Sequence, residues 1–174
     1  VSISSLLIVA VSVLPSLTGG FDTVVGAAPG VTGQARLYWA QTSGSNNGIF
    51  WRNLDGSGSA TKLVTTGATD TDAGGMTLDP RNGYVYWTNC GSQLTLSRAK
   101  LDGSGGADLR HTTSGGCPWG IAIDHGAQKV YYVDWTAGGL YRTEMDGTNQ
   151  VTITPTGGST INSPSDLLID PVQG

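Results

Sequence analysis

Short apolar segments separated by glycine-rich turns recur along the chain from residue 36 onward. One kind of segment is almost wholly apolar and ends in an aspartate, as in Met76–Asp79, and a tight turn follows it at residues 80–83. The next segment, Tyr84–Thr88, alternates in the manner of a half-buried strand and is rich in Tyr and Trp. Two more polar segments follow, joined by Asp102-Gly103, a strong hairpin signal. The pattern predicts four short antiparallel strands in each unit.

Three markers of this unit repeat in step, with a period of about 46 residues. The aromatic strand starts at Leu37, Val85 and Val130. The Asp of the Asp-Gly turn is Asp55, Asp102 and Asp146. The Asp that ends the apolar strand is Asp79, Asp124 and Asp170. Four antiparallel strands at this period are typical of a β-propeller blade. The sequence therefore predicts an all-β, propeller-like chain of three four-stranded antiparallel blades.

The third and fourth strands of each unit follow from the same spacing. The third strands are predicted at Gly48–Leu54, Leu94–Leu101 and Gly139–Met145, and the fourth at Thr61–Thr65, Ala107–His111 and Gln150–Thr154. The first unit lacks an apolar first strand after residue 36, and a single such strand, Leu167–Asp170, stands after the third unit. One possibility is therefore that Leu167–Asp170 completes the first blade.

The aromatic strands resemble a known repeat. Tyr38–Gln41, Tyr86–Asn89 and Tyr131–Asp134 look like degenerate copies of the Tyr-Trp-Thr-Asp signature of YWTD propellers, the class B repeats of low-density-lipoprotein receptors. Two further elements of that family are matched, Arg-x-x-Leu-Asp-Gly-Ser (with one extra residue in the second copy) and Pro-x-Gly-Ile-Ala-Ile-Asp, at Arg52–Ser57, Arg98–Ser104 and Pro118–Asp124. The resemblance covers residues 36–174. It implies a six-bladed, non-enzymatic and usually extracellular propeller that binds other proteins on its faces.

Three repeats are too few for a closed ring, because known propellers use four to eight blades. We therefore expect a fragment of a longer chain, a two-chain six-bladed ring or an open array completed by neighbours. An unpaired blade edge invites association. The predicted partners are other copies of the chain, in an oligomer or filament, or a protein ligand.

Residues 1–35 are predicted as a separate N-terminal part, ahead of the blades at residues 36–174. From Ser5 to Val13 both alternating faces are apolar, which predicts an extra β-strand buried on both faces. The strand could be an inner strand of its own domain, or it could be donated to a neighbouring subunit. One of its faces carries four residues predicted to act in assembly, Leu7, Val9, Val11 and Val13.

Composition and charge exclude several classes of function. Only 13% of the residues are charged, against about 25% in an average soluble domain, while Gly occurs 27 times and Thr 21 times, so a helical bundle is excluded. The net charge of −4, without a basic cluster, argues against a nucleic-acid partner. The apolar N-terminal run stops at Pro15, short of the roughly 18–20 residues of a membrane-spanning helix, so no membrane span is predicted. The abundance of Thr, Ser and Gly favours an extracellular or cell-surface protein.

Cys90 and Cys117 allow one disulfide or two reduced, buried thiols. In the predicted topology Cys90 follows the second strand of one blade and Cys117 precedes the first strand of the next, so both fall on the same face of the propeller. A bridge would clamp consecutive blades and stabilise the fold by about 3 kcal/mol. Trp119 and Trp135 lie in loops on that same face and could form a binding surface.

Sequence motifs of catalysis are absent, including the Gly-x-Ser-x-Gly elbow, the phosphate loop and His-Glu-x-x-His. A lactonase-type propeller holds a metal among acidic residues at its axis, where this sequence has Asp166 but Gly75 and Gly120 at the matching places. Asp70 and Asp72 are weak candidates for calcium ligands, and no other cofactor is expected. The predicted function is a non-catalytic structural or interaction protein that self-assembles through its blades. The alternatives are a ligand-binding fragment of a larger six-bladed YWTD ectodomain and, more distantly, a lactonase-type hydrolase.

Overall fold

The computed structural model describes residues 7–10, 35–42, 47–63, 66–112, 116–157 and 160–170. These ranges form twelve β-strands in three four-stranded antiparallel sheets, and they contain no helix. A helix long and apolar enough to cross a bilayer is accordingly not found among them. The prediction of an all-β chain with three four-stranded blades is confirmed.

Each sheet is a meander whose strands lie side by side in sequence order. The first blade consists of β1 (Leu7–Ala10), β2 (Arg36–Gln41), β3 (Gly48–Asn53) and β4 (Thr61–Lys62). The second consists of β5 (Ala73–Asp79), β6 (Tyr84–Asn89), β7 (Thr95–Lys100) and β8 (Ala107–His111). The third consists of β9 (Pro118–Asp124), β10 (Lys129–Asp134), β11 (Gly139–Glu144) and β12 (Val151–Thr152).

The hydrophobic core lies between the blades. We call the side of a blade that points to the following blade its far face, and the other side its near face. The far face of the first blade packs on the near face of the second in one buried cluster, which includes Tyr38, Ala40, Ile49, Val85 and Trp87. The far face of the second blade meets the near face of the third in another, formed by Tyr86, Leu96, Ile121, Ile123, Val130 and Tyr132. Each blade therefore depends on its neighbours for burial.

The first strand of the first blade comes from the N-terminal segment. β1 pairs with β2 from Leu7 opposite Ala40 to Ala10 opposite Leu37. The strand predicted as extra thus fills the place that one possibility assigned to Leu167–Asp170, and residues 167–170 belong to none of the three sheets. Of the four predicted assembly residues, Leu7 and Val9 lie in β1, whereas Val11 and Val13 lie outside the described residues. Their role in association stays a prediction.

Arg52 and Arg98 match in the sequence motif, but their positions in the blades differ. Tyr86 lies opposite Arg98, whereas Tyr38 lies opposite Trp51. The extra residue between Arg98 and its Asp-Gly turn shifts the register by one, and a shift of one reverses the side to which every side chain points. Arg52 therefore lies on the near face of its blade, and Trp51 takes the place of Arg98 on the far face.

The far faces of the first and second blades each carry a cation–π pair. The arginine stands on the second strand in the first blade and on the third strand in the second blade. In the first blade the Arg36 guanidinium lies 3.9 Å from the centroid of the Trp51 ring. In the second blade the Arg98 guanidinium lies 4.7 Å from the centroid of the Tyr84 ring. Both pairs join a second strand to a third strand by the attraction between a cation and the face of an aromatic ring.

The first strands of neighbouring blades approach each other so closely that two positions on them require glycine. A Cβ atom on Gly75 would lie 2.3 Å from the carbonyl oxygen of Trp119, and one on Gly120 would lie 2.5 Å from the Cα of Asp166. Any other residue at either place would collide with backbone. Because Gly75, Gly120 and Asp166 occupy the same place in the repeat, residues 160–170 lie against the third blade as the first strand of a following blade would.

Candidate functional site

The disulfide between Cys90 and Cys117 joins the second blade to the third, with 4.4 Å between the two Cα atoms. Cys90 follows β6 and Cys117 precedes β9, so the bridge lies on the face where second strands end and first strands begin. We call this the disulfide face. The bridge that the topology suggested is present in the structure, and it holds loops of neighbouring blades together.

Asp134 fixes the backbone beside the bridge. Its Oδ1 accepts hydrogen bonds from the N–H of Cys117 at 2.9 Å and from the N–H of Ala137 at 2.8 Å. The N–H of Trp135 donates to the carbonyl of Cys117 at 2.9 Å. The Asp134 side chain is buried, so these backbone groups supply the hydrogen bonds that water would otherwise provide. The loop that carries Trp135 is thereby held in one conformation.

Trp119 and Trp135 lie next to each other on the disulfide face. Their ring centroids are 5.6 Å apart and the ring planes meet at 85°, which is the edge-to-face arrangement. Trp119 packs over Gly74, where a Cβ atom would lie 3.1 Å from the tryptophan ring. Trp135 is 45% exposed. The two tryptophans predicted on this face are thus brought together, and one of them presents its ring to solvent.

A buried polar network supports the disulfide face from the second blade. The amide nitrogen of Asn89 donates to the hydroxyls of Thr95 and Ser97, at 2.6 and 3.1 Å. Asp108 accepts from the hydroxyl of Ser97 at 2.6 Å and from the N–H of Thr69 at 2.8 Å. Desolvation raises the pKa of Asp108, but the hydrogen bonds from Ser97 and Thr69 outweigh it and hold that pKa below its usual value. The network ties the loop before β5 to the outer strands.

Asp70 and Asp72, the weak calcium candidates, have different neighbours. Asp70 forms an ion pair with Lys62, with 2.8 Å between Oδ2 and Nζ. The carboxylate of Asp72 lies against Gly91, where a Cβ atom would come within 2.0 Å of Oδ2. In the parts of the chain that the structure describes, no group of three or more His, Cys, Asp or Glu side chains is placed to hold a metal ion. Calcium binding in this loop stays a prediction.

A second surface lies on the near face of the first blade. The rings of Trp39 and Phe50 stack there with centroids 5.8 Å apart, and both side chains are only half-buried. Leu54 is 45% exposed at the rim of this face, whereas Leu101, at the same place in the second blade, is 7% exposed. The sequence interpretation missed this surface, although the repeat places Leu54 and Leu101 at equivalent positions.

The Asp-Gly turns give the same contrast. A Cβ atom on Gly103 would lie 2.3 Å from the carbonyl oxygen of Leu63 in the preceding blade. A Cβ atom on Gly56, the equivalent glycine of the first blade, would have no atom within 4 Å. Among the described residues, therefore, nothing packs against the first blade where a preceding blade would lie.

Four-stranded meanders that pack face to face along their first strands define a segment of a β-propeller, here with three blades. No known family model matches the sequence. Over 76 residues, or 42% of the chain, it is 34% identical to the vitellogenin receptor Yl of Drosophila melanogaster. Over 76 residues, or 44% of the chain, it is 33% identical to nidogen-2 of Mus musculus. The chain spans 4% and 5% of the length of these two relatives.

Solved structures share the fold. The propeller in a nidogen/laminin complex matches 78% of this chain with a TM-score of 0.63 and 24% identity, and the match covers 48% of that propeller's chain. A gluconolactonase from Xanthomonas campestris matches 82% of this chain with a TM-score of 0.58 and 16% identity, over 50% of its own length. Together with the sequence relatives, these matches confirm the resemblance of the blades to YWTD repeats.

Proposed function

We propose that this chain is a non-catalytic interaction module of an extracellular or cell-surface protein, and that it binds a protein ligand on the disulfide face. The observation that carries the proposal is Trp135, which is 45% exposed and is held by Trp119, Asp134 and the bridge. An aromatic ring already fixed in one orientation loses little conformational entropy on binding, so it suits the role of an interface anchor. A disulfide favours an oxidising compartment outside the cytosol.

The relatives support the same class of partner. One is a receptor for vitellogenin by name, and the nidogen propeller was solved in a complex with laminin. The described residues form strands only, and the chain has a net charge of −4, which favours a protein ligand over a nucleic acid. The chain matches about half of the nidogen propeller, which supports the alternative that it forms part of a larger six-bladed ectodomain.

Binding of the purified chain to two probes, laminin and vitellogenin, tests the disulfide face. Trp135→Ala should weaken the binding that is observed by about 2 kcal/mol, or roughly 30-fold. Val151→Ala is the matched control, because Val151 is 44% exposed but lies on β12 at the outer edge of the third blade. Equal binding of Trp135→Ala and the parent chain would contradict this face as the binding site. If the chain binds neither laminin nor vitellogenin, a ligand of these two kinds is contradicted.

Self-association through the blades is a second candidate function, and the near face of the first blade favours it. Leu54, Trp39 and Phe50 form an apolar surface there that the described residues leave open. In one form of this function, the N-terminal strand with Leu7 and Val9 is donated to a neighbouring copy to build an oligomer or filament. Deleting residues 1–17 and measuring mass by light scattering tests that form, since unchanged association would contradict strand donation.

The gluconolactonase neighbour makes a hydrolase a distant alternative. Our proposal is a protein without catalysis, because Gly75 and Gly120 stand at the first-strand positions where a metal-dependent hydrolase of this shape needs ligands. A lactone hydrolysis assay with and without added Ca²⁺ checks this. Metal-dependent turnover would contradict it.

A further inference from the structure

The contact between the second and third blades shows how one YWTD-type blade recognises the next in this chain. The hydroxyl of Tyr86 donates to the carbonyl of Met145 at 3.2 Å, and Nη1 of Arg98 donates to the same carbonyl at 3.1 Å. Tyr86 and Arg98 lie opposite each other on the far face of the second blade. Met145 begins the Met-Asp-Gly turn of the third blade. A Tyr and an Arg on a far face thus bind the turn carbonyl of the following blade.

The far face of the third blade carries the same pair. Tyr131 lies opposite Arg142 in the register that Tyr86 and Arg98 have. Both side chains are half-buried, and neither forms a side-chain hydrogen bond or ion pair within the described residues. Leu140 lies at the place that Leu96 takes in the second blade, where Leu96 is fully buried by the third blade. This face is therefore equipped to bind a further blade of the same kind.

The near face of the first blade carries the complementary half. Leu54 begins its Leu-Asp-Gly turn, at the place of Met145, and Trp39 stands at the place of Trp87. In the second blade the equivalents Leu101 and Trp87 are 7% and 0% exposed, because the first blade covers them. The two ends of the three-blade array thus offer the two halves of the interface that the chain builds internally.

We propose that two copies of this chain associate head to tail, with the near face of the first blade of each on the far face of the third blade of the other. Tyr131 and Arg142 then donate to the carbonyl of the partner's Leu54, as Tyr86 and Arg98 do to Met145. Two such junctions join six blades, the number that the YWTD resemblance implies, and a head-to-tail interface that closes on itself gives a discrete ring. The inference rests on the self-association proposed above and names its surfaces.

At each junction, either β1 of the arriving copy or residues 167–169 of the other copy can form the first strand of the arriving blade. Gly120 approaches Asp166 as Gly75 approaches the third blade, so this segment occupies the first-strand place of the arriving blade. Leu168 is 91% exposed, whereas Ala122, at the same place in the third blade, is 8% exposed. Only one strand fits beside β2 of the arriving copy. Residues 167–169 take that place, and β1 of the arriving copy leaves it.

The test is the mass of the purified 174-residue chain, measured by sedimentation velocity over a range of concentrations. The expected species is a dimer with twice the mass of 17.9 kDa. Leu54→Asp and Arg142→Glu should each raise the dissociation constant at least about tenfold. Their control is Arg81→Glu, which changes an exposed residue in the turn between β5 and β6, away from both faces, and should leave the dimer intact. Far-ultraviolet circular dichroism verifies that each variant is folded.

Mixing the two variants distinguishes a head-to-tail contact from others. A Leu54→Asp copy keeps its far face and an Arg142→Glu copy keeps its near face, so the mixture should form dimers with one intact junction while neither variant does so alone. A monomeric parent chain, or a dimer that Leu54→Asp does not weaken, overturns the proposal.

Deletion of residues 1–10 separates this proposal from donation of the N-terminal strand. A dimer that persists, still sensitive to Leu54→Asp, supports the blade interface. A dimer lost on deletion overturns it and leaves self-association by strand donation standing. Ligand binding on the disulfide face is measured independently, so its failure does not affect this test.

Discussion

Trp39 and Trp87 occupy the same position in consecutive blades, yet their surroundings differ. Trp87 is 0% exposed and its indole N–H donates to the carbonyl of Thr69 at 2.7 Å. Trp39 is half-buried and stacks on Phe50 of its own blade. The strand sequences around them are alike, so the difference arises from the first blade, which covers Trp87. In a repeat protein of this kind, burial is a property of the junction between units.

The largest effect should come from removing the covered tryptophan. Trp87→Ala is expected to lower the free energy of unfolding by about 3–5 kcal/mol, because it leaves a cavity between two blades and removes one of the two side-chain hydrogen bonds to the Thr69 carbonyl. Trp39→Ala should cost about 1–2 kcal/mol. Urea unfolding followed by circular dichroism measures both. Equal losses would mean that Trp39 is covered as well.

The disulfide tests a second difference between the junctions. The junction of the second and third blades carries the Cys90–Cys117 bridge, and the described residues of the first junction contain none. Replacing both cysteines with Ser should lower the free energy of unfolding by about 3 kcal/mol, since the unfolded chain regains the freedom that a closed loop removes. Unfolding of the parent chain under reducing conditions is the control and should show a similar loss. A change well below 1 kcal/mol would contradict a stabilising clamp.

Two turn glycines provide a matched pair. Both have positive φ angles, +81° for Gly56 and +86° for Gly103, but only Gly103 faces the backbone of a preceding blade. Gly56→Ala should cost about 1 kcal/mol from backbone strain alone. Gly103→Ala should cost about 2–3 kcal/mol, because its Cβ also collides with the Leu63 carbonyl. Thermal unfolding compares the two, and similar midpoints would contradict the close contact at Gly103.

The smallest effect concerns pH and the network at Asp108. Its pKa is lowered from 3.8 in the folded chain, so the ionised carboxylate contributes stability above about pH 4, and this contribution is lost as pH falls through the folded pKa. The stability difference between the parent and Asp108→Asn should therefore be constant above about pH 5 and shrink below about pH 4. Urea unfolding at a series of pH values measures it. A difference that grows on acidification would contradict the assigned hydrogen bonds.

Local pattern accounts for much of the fold. The fourth strand at Ala107–His111 was predictable at both ends, and the Tyr-Trp strands lie where the aromatic alternation places them. The outer strands β4 and β12 are two residues each, shorter than the five predicted, whereas the outer strand β8 has all five, so the length of an edge strand does not follow from the repeat. The register of β3 could not be predicted from the Arg motif, since a single inserted residue moves Arg52 to the opposite face.

The candidate site was predictable where it depends on topology alone. The order of strands places Cys90 and Cys117 on one face, and the same argument brings Trp119 near Trp135. The exposure of Leu54 could not be derived in this way. Leu54 and the buried Leu101 have similar sequence neighbours. Only the three-dimensional arrangement shows that no described blade packs on the near face of the first blade, where Leu54 lies.

The bridge also has a mechanical consequence. A tensile force applied to the two ends of the chain would pass from Cys90 to Cys117 through the sulfur atoms, so the segment between them, including β7 and β8, would carry no load. The two residues are separated by 27 positions, and an unbridged segment of that size would add about 90 Å of extended length. The fully extended length of the oxidised chain under tension is therefore shorter than that of the reduced chain by this amount. The second blade would keep its outer half folded while its neighbours are stretched.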